Sequence, residues 1–417
     1  MTVTDQPTSK IAIIGGGPAG LMGAETLAQL GYHVTIYDGM ASLGRKFLLA
    51  GRGGLNLTHS EPIDTFVTRY GEAESWMSHM LTSFPPEKLR TWAQGLGQEI
   101  FTGTSGRVFP KSMKSSPILR AWLARLETLG VHIVRGAKWQ GWNEDGALMF
   151  AHSDGSQSSV QADATLLAMG GASWSKLGSD GAWVPLLQSK NVAITPLQAS
   201  NCGITINWTA LMADRFAGIP LKAVGLTCGD MTARGDIVIT RTGLEGGAIY
   251  ALSSALRAGL NSGTCQLSVD LRPDIEVRDL ALKLVKAKAG QSLSSALKGQ
   301  ARLSPAAIGI MREACDNNLP TTAMGLAHLI KNVTITVTGL SPIDRAISSA
   351  GGIAHASLTE GLMLKAVPGV FAAGEMLDWD GPTGGYLLQA CFASGKHAAH
   401  GINAYLQAQR SLKLQET

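Results

Sequence analysis

The clearest chemistry in this chain lies in six residues near the amino terminus, Gly15, Gly16, Gly17, Pro18, Ala19 and Gly20, which spell GGGPAG. Glycines at 15, 17 and 20 suit a turn that binds a pyrophosphate. The first permits the tight turn, the second lets the backbone approach the phosphates, and the third lets helix and strand pack closely. A helix opening at Pro18 then aims its positive end at the phosphates. Asp38, at the close of the following strand, is an acceptor for a ribose diol. This turn serves any dinucleotide. The choice of FAD over NAD rests on a distant element, the apolar run 369–373 that ends in Gly374 and Glu375. In FAD proteins of this type such a strand returns to the first domain and approaches the ribityl-phosphate region. Ala168 and Gly170, at the end of the apolar run 163–168, join the expected cofactor wall.

Two further loops carry candidate groups. In 374–395, GEMLDWDGPTGGYLLQACFASG, Gly384 and Gly385 precede a helix expected to begin near Tyr386 and Leu387. Free amides at that start suit negative charge on the reduced flavin. Asp378 and Asp380 read equally well as solvated loop acids. In the other loop, Arg45 and Lys46 are cations for the pyrophosphate. Arg52, Asn56, Thr58 and His59 could face flavin or substrate, although His59 reads more readily as a surface residue. No nucleophilic triad or metal constellation is visible, so no catalytic residue and no metal is assigned.

These residues need elements to hold them. Segments 10–14, 18–30 and 33–37 read as strand, helix and strand, followed by a glycine-rich loop over 44–58. Helices are expected over 72–95, broken at Pro85-Pro86, and over 117–129. Strands are expected at 131–134, 147–151, 159–161 and 163–168. From about 195 to 270, segments rich in Thr, Val and Ile alternate with Gly turns, which suggests antiparallel β structure. Segment 275–330 has helical spacing, 333–338 returns to strand, and a final helix runs through about 407. The expected fold is α/β, with a discontinuous Rossmann-type FAD-binding domain (1–194 and 340–417). Inserted in it are an antiparallel β domain (195–270 and 331–339) and a helical subdomain (271–330).

Composition bounds the remaining choices. A length of 417 residues allows two or three domains, and 45% apolar residues supply a large core. The net charge of +4 decides little. Between 107 and 125, however, stand Arg107, Lys111, Lys114, Arg120 and Arg125 with no Asp or Glu. That stretch is either a solvated face or a surface for phosphate or nucleic acid. The five cysteines lack CxxC spacing, which argues against a zinc site or disulfide framework and for a reducing cytoplasm. The polar start MTVTDQPTSK shows no signal peptide, and no apolar run is long enough to predict a membrane span.

The segments GGGPAGLMGAETLA, LGRKFLLAGRGGLNLTHS, GRVFPKSMKSSPILRAWLARL, LLAMGGASWSKLGSDG, GDIVITRTGLEGGAI, SSAGGIA and FAAGEMLDWDGPTGGYLLQACFASG resemble the bacterial YhiN/BaiN-like FAD-dependent oxidoreductases, the two-dinucleotide-binding-domain flavoproteins. The resemblance spans nearly the whole chain. It implies the discontinuous FAD domain with its inserts and non-covalent FAD. In some members it also implies reduction of an activated C=C bond, in steroid-like enones or in the uracil ring of ribosomal RNA. The chain departs from the family where SGGGRCNLTN becomes AGRGGLNLTH. Leu55 replaces a common Cys, and Arg52 stands two places early. Glu245-Gly246-Gly247 replaces SGP. These changes mark a divergent subfamily. The expected activity is hydride transfer at flavin N5, to or from an enone-like or uracil-like C=C bond on a small molecule or on RNA. NAD(P)H is a candidate donor, although no second GxGxxG marks a domain for it. The alternative is a non-catalytic flavoprotein that binds RNA or ribosomes, with FAD as a structural or redox-sensing cofactor.

Overall fold

The structure, a computed structural model, describes residues 9–51, 53–288 and 290–415. It divides into two compact units. One takes the chain up to Gln198 and again from Ser348, and the other is Ala199–Ile347. Along the first unit run β1 (Lys10–Ile14), α1 (Pro18–Gln29), β2 (His33–Asp38), α2 (Arg45–Ala50), β3 (Thr58–His59), α3 (Ile63–Thr68), α4 (Glu74–Ser83) and α5 (Pro86–Gly95). There follow β4 (Ile100–Thr102), β5 (Arg107–Pro110), α6 (Ser116–Thr128), β6 (His132–Arg135), β7 (Ala137–Trp142), β8 (Leu148–His152), β9 (Gln157–Val160) and β10 (Ala164–Leu167). After the second unit the chain returns as the strand Val370–Ala372 and the carboxy-terminal helix Tyr386–Gln415.

The central sheet is parallel and has the order Val370–Ala372, β10, β1, β2, β6. Helices cover both faces of such a sheet, so its strands read as continuous apolar runs. Ile11, Ile13, Ile14, Leu166, Leu167 and Phe371 are all buried. α1 and the carboxy-terminal helix approach to backbone contact, because a Cβ on Gly395 would lie only 2.2 Å from the Ala19 carbonyl oxygen. Two smaller antiparallel sheets flank this layer, ordered β3-β5-β4 and β7-β8-β9.

Segment 44–58 is not all loop, since α2 occupies Arg45–Ala50. Gly44 turns the chain in a left-handed conformation, φ 65, and the Arg-Lys-Phe-Leu-Leu-Ala run that follows favours helix. The basic stretch 107–125 is also altered by folding. Arg125 turns inward to the buried Glu25 at 2.9 Å, and Lys111 pairs with Glu99. Glu25 accepts as well from the indoles of Trp92 (3.0 Å) and Trp122 (2.7 Å), which ties α1 to α5 and α6.

The second unit is a seven-stranded sheet joined by helices Val277–Leu284, Leu293–Gln300, Pro305–Ala314 and Ala323–Lys331. These helices do not form a body of their own. Leu280, Leu297, Ile310 and Ile330 share one apolar core with Leu267, Val269 and Ile335 of the sheet, as a one-faced helix requires. The unit boundaries fall at 198/199 and 347/348 rather than at 194 and 340. Among the described residues no helix is long and apolar enough to cross a membrane. Among them, too, no cluster of three or more His, Cys, Asp or Glu could hold a metal.

Candidate functional site

A cavity of about 400 Å³ opens beside the GGGPAG turn in the first unit. It lies where β1, β2, β10 and Val370–Ala372 end, the usual ligand position in an open α/β sheet. Gly15, Gly17, Pro18, Ala19, Asp38, Arg45, Lys46, Ala168, Gly170, Gly374 and Glu375 line it. The glycines divide into two kinds. A Cβ on Gly20 would lie 2.0 Å from the Gly15 carbonyl oxygen, so Gly20 sits beneath the turn and outside the cavity lining. A Cβ on Gly17 would meet nothing within 4 Å. Its backbone therefore stands open to an incoming group.

Asp38 braces this turn. Its carboxylate accepts from the Gly16 amide at 2.7 Å and from the Met40 amide at 2.8 Å. Burial pushes its pKa up, against the pull of those amides and of Arg45. Opposite, Lys46 Nζ donates to Glu375 Oε2 and to Ser173 Oγ, both at 2.6 Å. The pair is mostly withdrawn from solvent, at 24% and 11% side-chain exposure. It joins α2 to the end of the returning strand. The Gly374 amide donates to Ser394 Oγ at 3.0 Å, which anchors the same turn to the carboxy-terminal helix. Cys391 on that helix reaches the cavity, and burial raises its thiol pKa.

Part of the wall escaped the sequence reading. Trp139 on β7, Ser179 and the segment around Trp183 also line the cavity, and Lys138 meets Asp180 at 3.0 Å. The Ser179 hydroxyl is buried with no partner among the described residues. Only the preceding Gly170-Gly171 pair hinted at a ligand-facing loop here.

Asn56, Gly384, Gly385, Tyr386 and Leu387 do not line this cavity. They belong to a region around β3. Gly384 and Gly385 have φ 109 and 106. A Cβ on Gly385 would lie 2.5 Å from the Thr58 backbone, so packing on β3 demands this glycine. Tyr386 opens the long helix and donates to Glu61 Oε1 at 2.6 Å. Arg69 grips Glu61 through two nitrogens, at 3.1 and 2.8 Å. Burial pushes the Glu61 carboxyl up, but the bonds from Arg69 and Tyr386 outweigh it and hold the group below the usual carboxylate range. Burial and then Glu61 raise the Tyr386 hydroxyl. His59 stacks on Tyr386 at 5.4 Å, and both of its ring nitrogens are engaged, with Ser105 O and the Glu61 amide. Asn56 Oδ1 is buried without a partner among the described residues. Arg52 lies outside the described residues.

Residues 9–401 match the family model described as HI0933-like protein Rossmann domain. The chain belongs to this HI0933-like family. One relative is the 3-dehydro-bile acid delta(4,6)-reductase of Clostridium scindens, 24% identical over 407 residues, 93% of this chain and 97% of that protein. Another is the ribosomal RNA dihydrouridine synthase of Haemophilus influenzae, 23% identical over 431 residues, 95% and 98% of the two chains. Among solved structures, the open conformation of a flavocytochrome c3 fumarate reductase superposes with a TM-score of 0.53 at 14% identity. That match covers 95% of this chain and 78% of the other, and it speaks for the fold. This protein is a flavin-dependent oxidoreductase.

Proposed function

We propose that the cavity binds FAD non-covalently and that the protein transfers a hydride between this flavin and an activated C=C bond, enone-like or uracil-like. One observation carries the reading. The open Gly17 backbone, the Asp38 brace and the Lys46–Glu375 pair meet around one cavity. The unpartnered Ser179 hydroxyl in the same wall suits a polar ligand, because a buried hydroxyl without a partner costs roughly 1–3 kcal/mol.

In this proposal Gly15, Gly17 and the start of α1 receive the pyrophosphate, with Arg45 supplying charge. Asp38 reaches the adenosine ribose, and Glu375 beside Gly374 takes the ribityl hydroxyls. Ala168 and Gly170 form the backbone wall, and Pro18 and Ala19 fix the first helical turn. Asn56, Gly384, Gly385, Tyr386 and Leu387 serve the ring end. When bound, FAD supplies the hydride chemistry at its N5 atom. The chain supplies binding, orientation and charge. The names of the two curated relatives, a delta(4,6)-reductase and a dihydrouridine synthase, support an unsaturated substrate, either free or carried by RNA. NADH and NADPH are the electron donors to test first, in a cytoplasmic setting.

The test begins with the purified protein. It should be yellow, should release FAD on heating, and should be bleached anaerobically by NADH or NADPH and restored by an enone or by uracil-containing RNA. A colourless protein that takes up no added FAD would overturn the proposal. Lys46→Met removes the cation that orders Glu375 and leaves that carboxylate uncompensated. The Kd for FAD should rise about tenfold or more, corresponding to about 1.4 kcal/mol, as read by quenching of flavin fluorescence. An unchanged Kd would remove Lys46 from the site.

A further inference from the structure

A cation that the cavity does not use stands beside the Gly384–Gly385 turn. Arg107 opens β5 and faces His59 across the β3–β5 ladder. Alternation along β5 turns Val108 inward and leaves Arg107 exposed. A Cβ on Gly384 would lie 3.2 Å from Arg107 Nε, so the guanidinium stem lies over the turn. Among the described residues the Arg107 guanidinium makes no hydrogen bond and no ion pair, and its surroundings explain why. Glu61 is already held by Arg69 and Tyr386, and His59 has both nitrogens engaged. Lys111 and Arg125, further along, are committed to Glu99 and Glu25.

The turn is close to the cavity along one rigid element. Cys391 lines the cavity, and Gly385 precedes it by six residues, which corresponds to about 9 Å along the helix axis. A dinucleotide with its phosphates at Gly17 and its ribityl chain at Glu375 would carry its ring system toward this turn. We propose that Arg107 is a catalytic cation that faces the reacting edge of the bound flavin. There it stabilises the negative charge that reduction leaves. The inference rests on the FAD reading above. Hydride uptake brings two electrons and one proton to a neutral acceptor, so one negative charge remains until a second proton arrives. A guanidinium stays protonated at every working pH. Its contribution is thus electrostatic, a fixed charge aimed where negative charge develops. Tyr386 does not compete for this role, because its hydroxyl is given to Glu61.

The test compares FAD-loaded wild type, Arg107→Gln and Arg107→Lys, with Arg120→Gln on the exposed face of α6 as a control. Each is reduced anaerobically against a reference dye, which yields the equilibrium constant for two-electron reduction. Arg107→Gln should lower that constant about tenfold, or about 30 mV for a two-electron couple. Arg107→Lys keeps the charge and should stay within about threefold of wild type, and Arg120→Gln should match wild type. An unchanged constant in Arg107→Gln would overturn the proposal, as would equal losses in the Gln and Lys variants. If Arg107→Gln alone fails to hold FAD, a wild-type constant in Arg107→Lys together with restored loading supports the charge. Loss of FAD from both variants makes Arg107 a structural residue and overturns it. A wild-type protein that binds no FAD would instead refute the underlying reading.

Discussion

Gly17→Val should fold as the parent folds and should hold no FAD. Gly17 lies at φ −83 and ψ −179, extended backbone that any residue adopts. A Cβ there meets no protein atom within 4 Å. The apo protein should therefore keep its stability to within about 0.5 kcal/mol, as for a surface substitution. The isopropyl group instead fills the space through which a phosphate must approach the turn. We expect the Kd for FAD to rise at least a hundredfold, about 2.7 kcal/mol, as measured by titration of the apo protein. Gly20→Val is the contrasting variant. Its Cβ would collide with the Gly15 carbonyl, so that variant should lose its fold together with its flavin. A Gly17→Val protein purified with full flavin would show that the phosphates sit elsewhere.

The second large effect is expected far from the cavity, at Glu25. Its carboxylate is buried on α1 and receives two indoles and a guanidinium. Glu25→Ala leaves Arg125 partly buried without its counter-charge and strands two N–H groups. Breaking a buried pair from one side costs about 3–5 kcal/mol, and each unsatisfied donor adds to it. Trp92 and Trp122 donate to this carboxylate, so their fluorescence reports the transition of the first unit in urea. Glu25→Gln should fall between parent and Ala, because its amide nitrogen cannot accept. A loss under about 1 kcal/mol in Glu25→Ala would show that water satisfies these groups instead.

The two sites differ in how far they could be read from sequence. The GGGPAG turn was legible because close backbone approach is a local demand that only glycine meets, and it leaves a spaced signature. Asp38 and the Gly374-Glu375 turn were legible through their positions at strand ends. The Lys46–Glu375 pair was not, because its members lie 329 residues apart and only the fold brings them together. Glu25 looked like any acid on an amphipathic helix, and nothing nearby announces three donors from α5 and α6. Gly384 and Gly385 were legible as a turn, but their place on β3 rather than in the cavity lining depends on tertiary packing. The helical segment 271–330 read as a separate body because spacing reveals an apolar face without revealing what covers it. Arg107 was hidden in a basic run whose members meet different fates once folded.

The returning strand Val370–Ala372 also sets a timetable for synthesis. It pairs with β10, and Glu375 follows directly, yet both leave the ribosome roughly 200 residues after β10. At about 5–20 residues per second, the early strands wait on the order of 10–40 s with one sheet edge open. An exposed strand edge invites pairing with other chains. The inserted unit, contiguous in sequence, completes its own sheet within that interval. Chains halted before about residue 370 would lack the cavity's last wall. Ribosome-bound intermediates should therefore remain colourless until the closing strand has emerged.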